Sequence, residues 1–186
     1  MKRILLFTVL CAIIVSTACS TEISLKHENL DAKLVSFESF AEMEEYADVI
    51  VKVIRKEAET PVVIREGEDI VSGFTFSQVR IEKICKDRTA VLHNGDSIRI
   101  LENEFFDEKS NTVFHIAGYD MMKEGHPYLL FLTRNIYDDG GEYYVPAGVH
   151  YGTVSLDEDG RTIHGADDGS FRLFWNEARS KYTADN

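Results

Sequence analysis

Through the middle of the chain, hydrophobic positions recur at every second residue. Asp48-Val49-Ile50-Val51-Lys52-Val53-Ile54 alternates after a short apolar start, and Phe74 to Ile84 alternates again through Phe74, Phe76, Val79 and Ile81. A period of two in β-branched and aromatic residues predicts strands. The apolar face switches between Phe76 and Val79 and again between Ile81 and Ile84, which predicts bulges that bend one long strand and curl a small sheet. Asn94-Gly95-Asp96 signals a turn ahead of a strand carrying Ile98 and Ile100. Tyr128-Leu129-Leu130-Phe131-Leu132 is continuously apolar, as in a strand buried on both faces or covered outside by a helix. Tyr143-Tyr144-Val145, Gly152 to Leu156 and Arg161-Thr162-Ile163 supply further strands, the last two joined across Asp157-Glu158-Asp159-Gly160.

Helical spacing flanks this region. Ser39-Phe40-Ala41-Glu42 forms a capping box that opens a short helix to Ala47, with Phe40, Met43 and Tyr46 or Ala47 on one face. Ser170 to Tyr182 returns to that spacing with Phe171, Phe174, Trp175 and Ala178. No period of 20–50 residues repeats, which excludes solenoids and propellers.

The first residues have a different layout. Lys2 and Arg3 precede the uncharged run Ile4 to Val15 and the small residues Ser16-Thr17-Ala18, the three parts of an export signal. The run falls short of the roughly 20 apolar residues that cross a bilayer. Val15-Ser16-Thr17-Ala18-Cys19 resembles the lipobox of bacterial lipoproteins, with Ser16 where that family usually has Leu. The resemblance implies that Cys19 receives a diacylglycerol, becomes the mature N-terminus and holds the domain on the extracytoplasmic face of the cell membrane. The chain then divides into a lipoprotein signal peptide (1–18), a polar tether (19–35) and a single domain (36–186). More than one acyl chain anchors stably, at about 0.8 kcal/mol per buried methylene.

Charge narrows the partners. Twenty Lys and Arg against 32 Asp and Glu give −12 over 186 residues, and no window clusters bases without acids, so nucleic acid and anionic lipid surfaces are excluded as electrostatic partners. Of Cys11, Cys19 and Cys85, only Cys85 stays unmodified in the mature domain, so no intramolecular disulfide forms. A lone thiol in a strand without a local histidine or asparagine pattern reads as inert packing.

The order helix, Ala47-Asp48-Val49-Ile50-Val51-Lys52-Val53, the strand ending Ile84-Cys85-Lys86-Asp87, Gly95-Asp96-Ser97-Ile98-Arg99-Ile100, then Met122 to Leu132 resembles netrin-type and tissue-inhibitor-of-metalloproteinase-like domains. The likeness spans residues 47 to 135. It implies a mainly β fold: an OB-like antiparallel β-barrel with short flanking N- and C-terminal helices. It does not imply that family's inhibitory mechanism, which needs a free N-terminal cysteine in a disulfide-rich chain.

Candidate chemistry is sparse. None of the six histidines pairs at i, i+2 or i, i+4, so no metal site and no cofactor are expected; His126 before Pro127 reads as a turn residue. Asp157-Glu158-Asp159-Gly160, Asp138-Asp139-Gly140-Gly141 and Asp167-Asp168-Gly169 read as acidic turns, because the first lacks the later ligands of a calcium loop. There is no phosphate loop, nucleophile elbow or H-E-x-x-H, so no catalytic residue is named. Tyr137, Tyr143, Tyr144 and Tyr151 crowd a segment rich in acids and form the candidate binding face. These observations lead to an anchored binding or interaction module with an envelope protein as possible partner; the alternatives are a small cell-envelope hydrolase with an acid-based site, or a structural envelope protein.

Replacing Cys19 tests the anchor. Cys19→Ala should release the protein to the medium or leave it uncleaved; unchanged membrane retention with no acyl mass on the mature N-terminus would overturn the anchor.

Overall fold

The computed structural model describes residues 24–138, 140–157, 161–162 and 171–183. The signal segment and Cys19 lie outside the described residues. Along the described chain run β1 (Lys26–Leu30), α1 (Phe40–Tyr46), β2 (Val49–Ala58), β3 (Val62–Glu66), β4 (Asp69–Asp87), β5 (Ser97–Glu102), β6 (Glu104–Asp107), β7 (Thr112–Ile116), β8 (Pro127–Ile136), β9 (Glu142–Pro146), β10 (Thr153–Ser155) and α2 (Arg172–Thr183).

β2, β4, β5, β9 and β8 pair in that order, and β8 returns to β2 to close a ring. Numbered along the chain, the ring strands run 1-2-3-5-4, the order of the OB barrel expected from sequence. The ladders are antiparallel except at closure, where β5 and β9 meet in parallel through Ile100 and Tyr144. Strand alternation sends Val49, Val51, Val53, Val79, Ile81, Ile98, Ile100, Leu130 and Leu132 inward to one apolar core. The β2–β4 register slips at Ile81–Lys83, where the second face switch places a bulge, and again at Ile84–Lys86; the bulge expected between Phe76 and Val79 is absent from β4, which alternates without a break there, and the extra residue lies on β2 between Arg55 and Ala58.

A second core lies outside the barrel. Ile50, Leu129 and Phe131 point outward and pack with Phe40, Met43 and Ala47 of the α1 segment and Trp175 and Ala178 of α2. The continuous apolar run at residues 128–132 is thus a strand buried on both faces, its outer side under helices. Ser39 caps α1 by accepting the Glu42 N–H at 3.2 Å, as the capping box predicts. The Glu42 carboxylate, however, takes the Glu38 N–H at 2.7 Å instead of returning to Ser39. Glu44 ties the two helices, accepting from Lys181 Nζ at 2.7 Å and from the Tyr182 hydroxyl.

Several elements depart from the sequence pattern. Residues 26–30, placed in the tether by composition, form β1 and pair in parallel with β7; its side chains are almost all exposed, so backbone hydrogen bonds hold it without an apolar signature. β3 folds onto the first half of β4, and β6 and β7 form a hairpin outside the barrel. The strand expected at Arg161-Thr162-Ile163 is irregular over its described part, where the Thr162 carbonyl accepts the Asp120 N–H at 3.0 Å. Glu158 to Gly160 and Ile163 lie outside the described residues.

The hairpin arm is seated by Gly73. A Cβ there would stand 2.7 Å from ring atoms of Phe105, which is fully buried and stacked on Phe114 at 5.2 Å. On the same side of the arm, Arg65 donates to Asp107 at 2.6 Å and holds that carboxyl at about 2.

One end of the barrel is polar. Arg55 on β2, Ser77 on β4 and Glu102 on β5 occupy inward positions beyond the aliphatic layers, and residues 117–126 close over them. Glu102 is fully buried; it accepts from the Tyr119 hydroxyl at 2.9 Å and the Met122 N–H at 2.7 Å, and its second oxygen faces Arg55 Nε at 4.0 Å. Burial pushes its carboxyl upward, while Ser77, the Met122 amide, Tyr119 and Arg55 oppose that shift.

Two stability predictions result. Gly73→Ala should cost about 1–3 kcal/mol by displacing the Phe105 ring; urea denaturation unchanged from wild type would refute that seating. Glu102→Gln presents an amide to Arg55 and should cost about 3–5 kcal/mol, as for a broken buried pair. Adding Arg55→Met should recover part of the loss in the same denaturation; a double variant that loses the sum of the two single changes would show that the groups do not interact.

Candidate functional site

β4 and β5 carry the candidate site on their outward faces. Alternation that sends Ser77 and Val79 inward sends Phe74, Phe76 and Gln78 outward, and Arg99 stands out from β5 beside them through the pair Gln78–Arg99. The Arg99 guanidinium lies 3.7 Å from the Phe76 ring centroid. It is held flat there by a two-pronged bond to Glu59, with Nε to Oε1 at 2.7 Å and Nη2 to Oε2 at 2.5 Å. Gln78 donates to the same carboxylate at 3.2 Å. The bond from Arg99 keeps the Glu59 carboxyl below its ordinary range and raises Arg99, so this pair is ionised at neutral pH.

Tyr137, at the start of the β8–β9 turn, and Tyr143 on β9 lie against this platform. Their rings are 4.6 Å apart, Tyr143 meets Phe76 edge-on at 5.5 Å, and Phe74 meets Phe76 at 5.1 Å. Val62 pairs across from Phe74 and Ile64 follows on the same side of β3, and both are exposed. The opposite side of that arm is the one seated by Gly73 and Arg65, which fixes Val62, Ile64 and Phe74 toward solvent. An open groove of about 570 Å³ continues from Gln78 and Arg99 past Leu92 and Asp96 to Glu142 and Tyr144.

The four tyrosines picked from sequence therefore separate. Tyr137 and Tyr143 share the platform. Tyr144 is buried in the barrel interior, because neighbours on a strand face opposite ways, and reaches the site only as part of the groove wall. Tyr151 belongs to the second core, edge-on to Phe37, Phe171 and Phe174. Phe76, Arg99 and Glu59 are the members that sequence reasoning missed. Outward Phe76 followed by a switch of face was a signal for them, since a large apolar residue on the outside of a bulged strand needs a cover.

Other candidates resolve differently. Cys85 is half-buried, and burial raises its thiol, which suppresses the thiolate. His126 sits next to the turn at Gly125, as expected, and lies 2.9 Å from Asp157 Oδ2. Asp139 and the Glu158-Asp159-Gly160 turn lie outside the described residues. Against the barrel floor the β6–β7 hairpin assembles Glu104, His115 and Asp120, whose ligand-type atoms all lie within 4.8 Å of one another. Glu104 also accepts the Met121 N–H at 3.0 Å, and burial pushes its carboxyl up to about 7.

Comparison with known proteins adds no family: no protein-family model matches this chain, and no curated protein does.

Proposed function

We propose that this protein is a lipid-anchored, extracytoplasmic interaction module whose partner docks on the outward face of β4 and β5. The observation that carries this is the pair Tyr137 and Tyr143 seated beside the buried ring of Phe76 on a closed barrel, with Arg99 locked across that ring by Glu59. Aromatic rings beside a fixed guanidinium are the residue types on which binding energy concentrates, and a barrel wall presents them with little entropy left to lose. Tyr137, Val62 and Ile64 form an exposed apolar rim, at 37%, 39% and 44% exposure. Asp96 and Glu142 border the groove, and the whole chain carries −12. The complementary partner is a neutral or basic polypeptide segment with an apolar side chain to lay on the rings. The anchor at Cys19 and the netrin-type likeness belong to the same proposal.

The hydrolase alternative places its acids elsewhere. Glu102 is sealed at the barrel floor and Glu104 faces His115, and neither lines the groove, whose described acids are Asp96 and Glu142.

A photo-crosslinkable residue at Val62, in cells carrying the anchored protein, should capture one protein partner saturably. Tyr143→Ala should reduce that capture about 30-fold, as expected for a central aromatic anchor worth about 2 kcal/mol, with the circular dichroism of the fold retained. Capture that is undiminished by Tyr143→Ala and by Arg99→Ala would refute the face. The Glu59 carboxyl is depressed, so the Arg99–Glu59 bond is complete above the ordinary carboxylate range near about pH 4.3 and is lost as pH falls below it. Binding of the purified partner should accordingly be level from pH 8 to 5 and drop at lower pH.

A further inference from the structure

The β6–β7 hairpin brings a different chemistry together. Glu104 and His115 are direct cross-strand partners and therefore share a face. After β7 the chain turns back through Ala117 and Gly118, both at positive φ, and this return carries the Tyr119 carbonyl and the Asp120 carboxylate to the same imidazole. His115 Nδ1 lies 3.0 Å from Asp120 Oδ1, 3.1 Å from the Tyr119 carbonyl oxygen and 3.2 Å from Glu104 Oε2. Three oxygens converge on a nitrogen that carries at most one proton. We propose that Glu104, His115 and Asp120 form a binding site for a small divalent transition-metal ion of the zinc class.

The spacings fit such an ion. Bonds of about 2.0–2.1 Å in a tetrahedron separate neighbouring ligand atoms by about 3.3 Å; the oxygens stand 3.0–3.2 Å from His115 Nδ1, and the ligand atoms of Glu104, His115 and Asp120 all lie within 4.8 Å of one another, so they already surround a space of that size. Two carboxylates cancel the charge of one divalent ion, and the Tyr119 carbonyl supplies a further oxygen. The outer support is also present. His115 Nε2 lies 2.9 Å from His27 Nδ1, so the ring is fixed through its far nitrogen, the arrangement that orients a ligating histidine. His115 is closed off, with 2% of its side chain exposed, whereas Asp120 at 31% gives a path from solvent. An imidazole with carboxylates and no thiolate selects against soft monovalent copper. Calcium asks for six to eight oxygens, more than this corner offers.

Titration of the purified full chain with zinc chloride, followed by calorimetry and X-ray absorption, tests the site. One zinc per chain should bind, with one imidazole nitrogen among oxygen donors at about 2.0–2.1 Å. Asp120→Asn and Glu104→Gln, which preserve shape and are checked by thermal melting, should each weaken binding at least about tenfold, since even loss of an outer partner commonly has that effect. His27→Ala should weaken it in the same direction, and the solvent-exposed His93→Ala should leave it unchanged. An absent heat, sulfur in the coordination shell, or an affinity indifferent to both Asp120→Asn and Glu104→Gln would overturn the proposal and leave His115 as a structural hydrogen-bond centre. Neither variant touches the β4–β5 platform, so its outcome is independent of partner capture.

Discussion

A carboxylate sealed inside a small barrel constrains everything near it. Glu102 stands at an inward position of β5 with no water-facing surface, and a buried acid is tolerated only if its oxygens find donors or a cation. The Tyr119 hydroxyl and the Met122 amide both bond one oxygen, and Arg55 from β2 faces the other at 4.0 Å as a cation, without a hydrogen bond. Meeting it fixes the path of residues 117–126, because two of those groups belong to that segment. The adjoining amides are taken in turn, Met121 by Glu104 and Lys123 by the Tyr128 hydroxyl. The segment closes the barrel with hydrogen bonds where a larger protein would use a helix, and it delivers Tyr119 and Asp120 to His115.

The same alternation that builds the floor builds the outer face. On β4, Ser77 points inward and donates nothing to solvent while Phe76 and Gln78 on either side point outward. Arg99 stands out from β5 between Ile98 and Ile100, both locked in the barrel core. Side chains on such strands have little freedom to rearrange, and Glu59 and Tyr137, from the β2–β3 connection and the β8–β9 turn, are held against them by Arg99 and by the Tyr143 ring. For the proposed docking face, groups held in this way would leave less ordering to be done on binding.

Much of the barrel is legible in the chain because burial on one side imposes a period of two. Val49 to Val53, Phe74 to Ile81 and Tyr128 to Leu132 announce their strands, and the switch between Ile81 and Ile84 announces a bulge, whereas Phe76 and Val79 are only the two faces of one unbroken strand. The elements that escape are those with no one-sided burial. β1 is exposed at nearly every position and has no hydrophobic signature, and β3 carries the short apolar run Val62-Val63-Ile64 but alternates only between exposed and half-exposed residues. The Glu104–His115 cluster escapes for another reason. Its ligands come from paired strands and a turn, and local spacing rules for histidines cannot see a cross-strand partner eleven residues away. The tight turn at Glu108 to Asn111, with Asn111 at positive φ, was the local sign of that hairpin. Likewise the four tyrosines looked alike in sequence, and only the register of β9 and the packing of Phe171 and Phe174 separate Tyr143 from Tyr144 and Tyr151.

The helices and the β6–β7 hairpin cover much of the outside of the sheet. The outer side of β2 and β8 is occupied by the two helices, with Trp175 donating its indole N–H to the His150 carbonyl at 3.0 Å and Glu44 tying α1 to α2. The inner side of the β3–β4 arm is occupied by Phe105 and Asp107. Among the described residues, the outward surface of β4, β5 and β9 is covered by neither, yet it is there that Phe74, Phe76, Tyr137 and Tyr143 gather. Rings and a neutralised Arg99–Glu59 pair on this wall, with acids around it, are what the proposed docking face rests on.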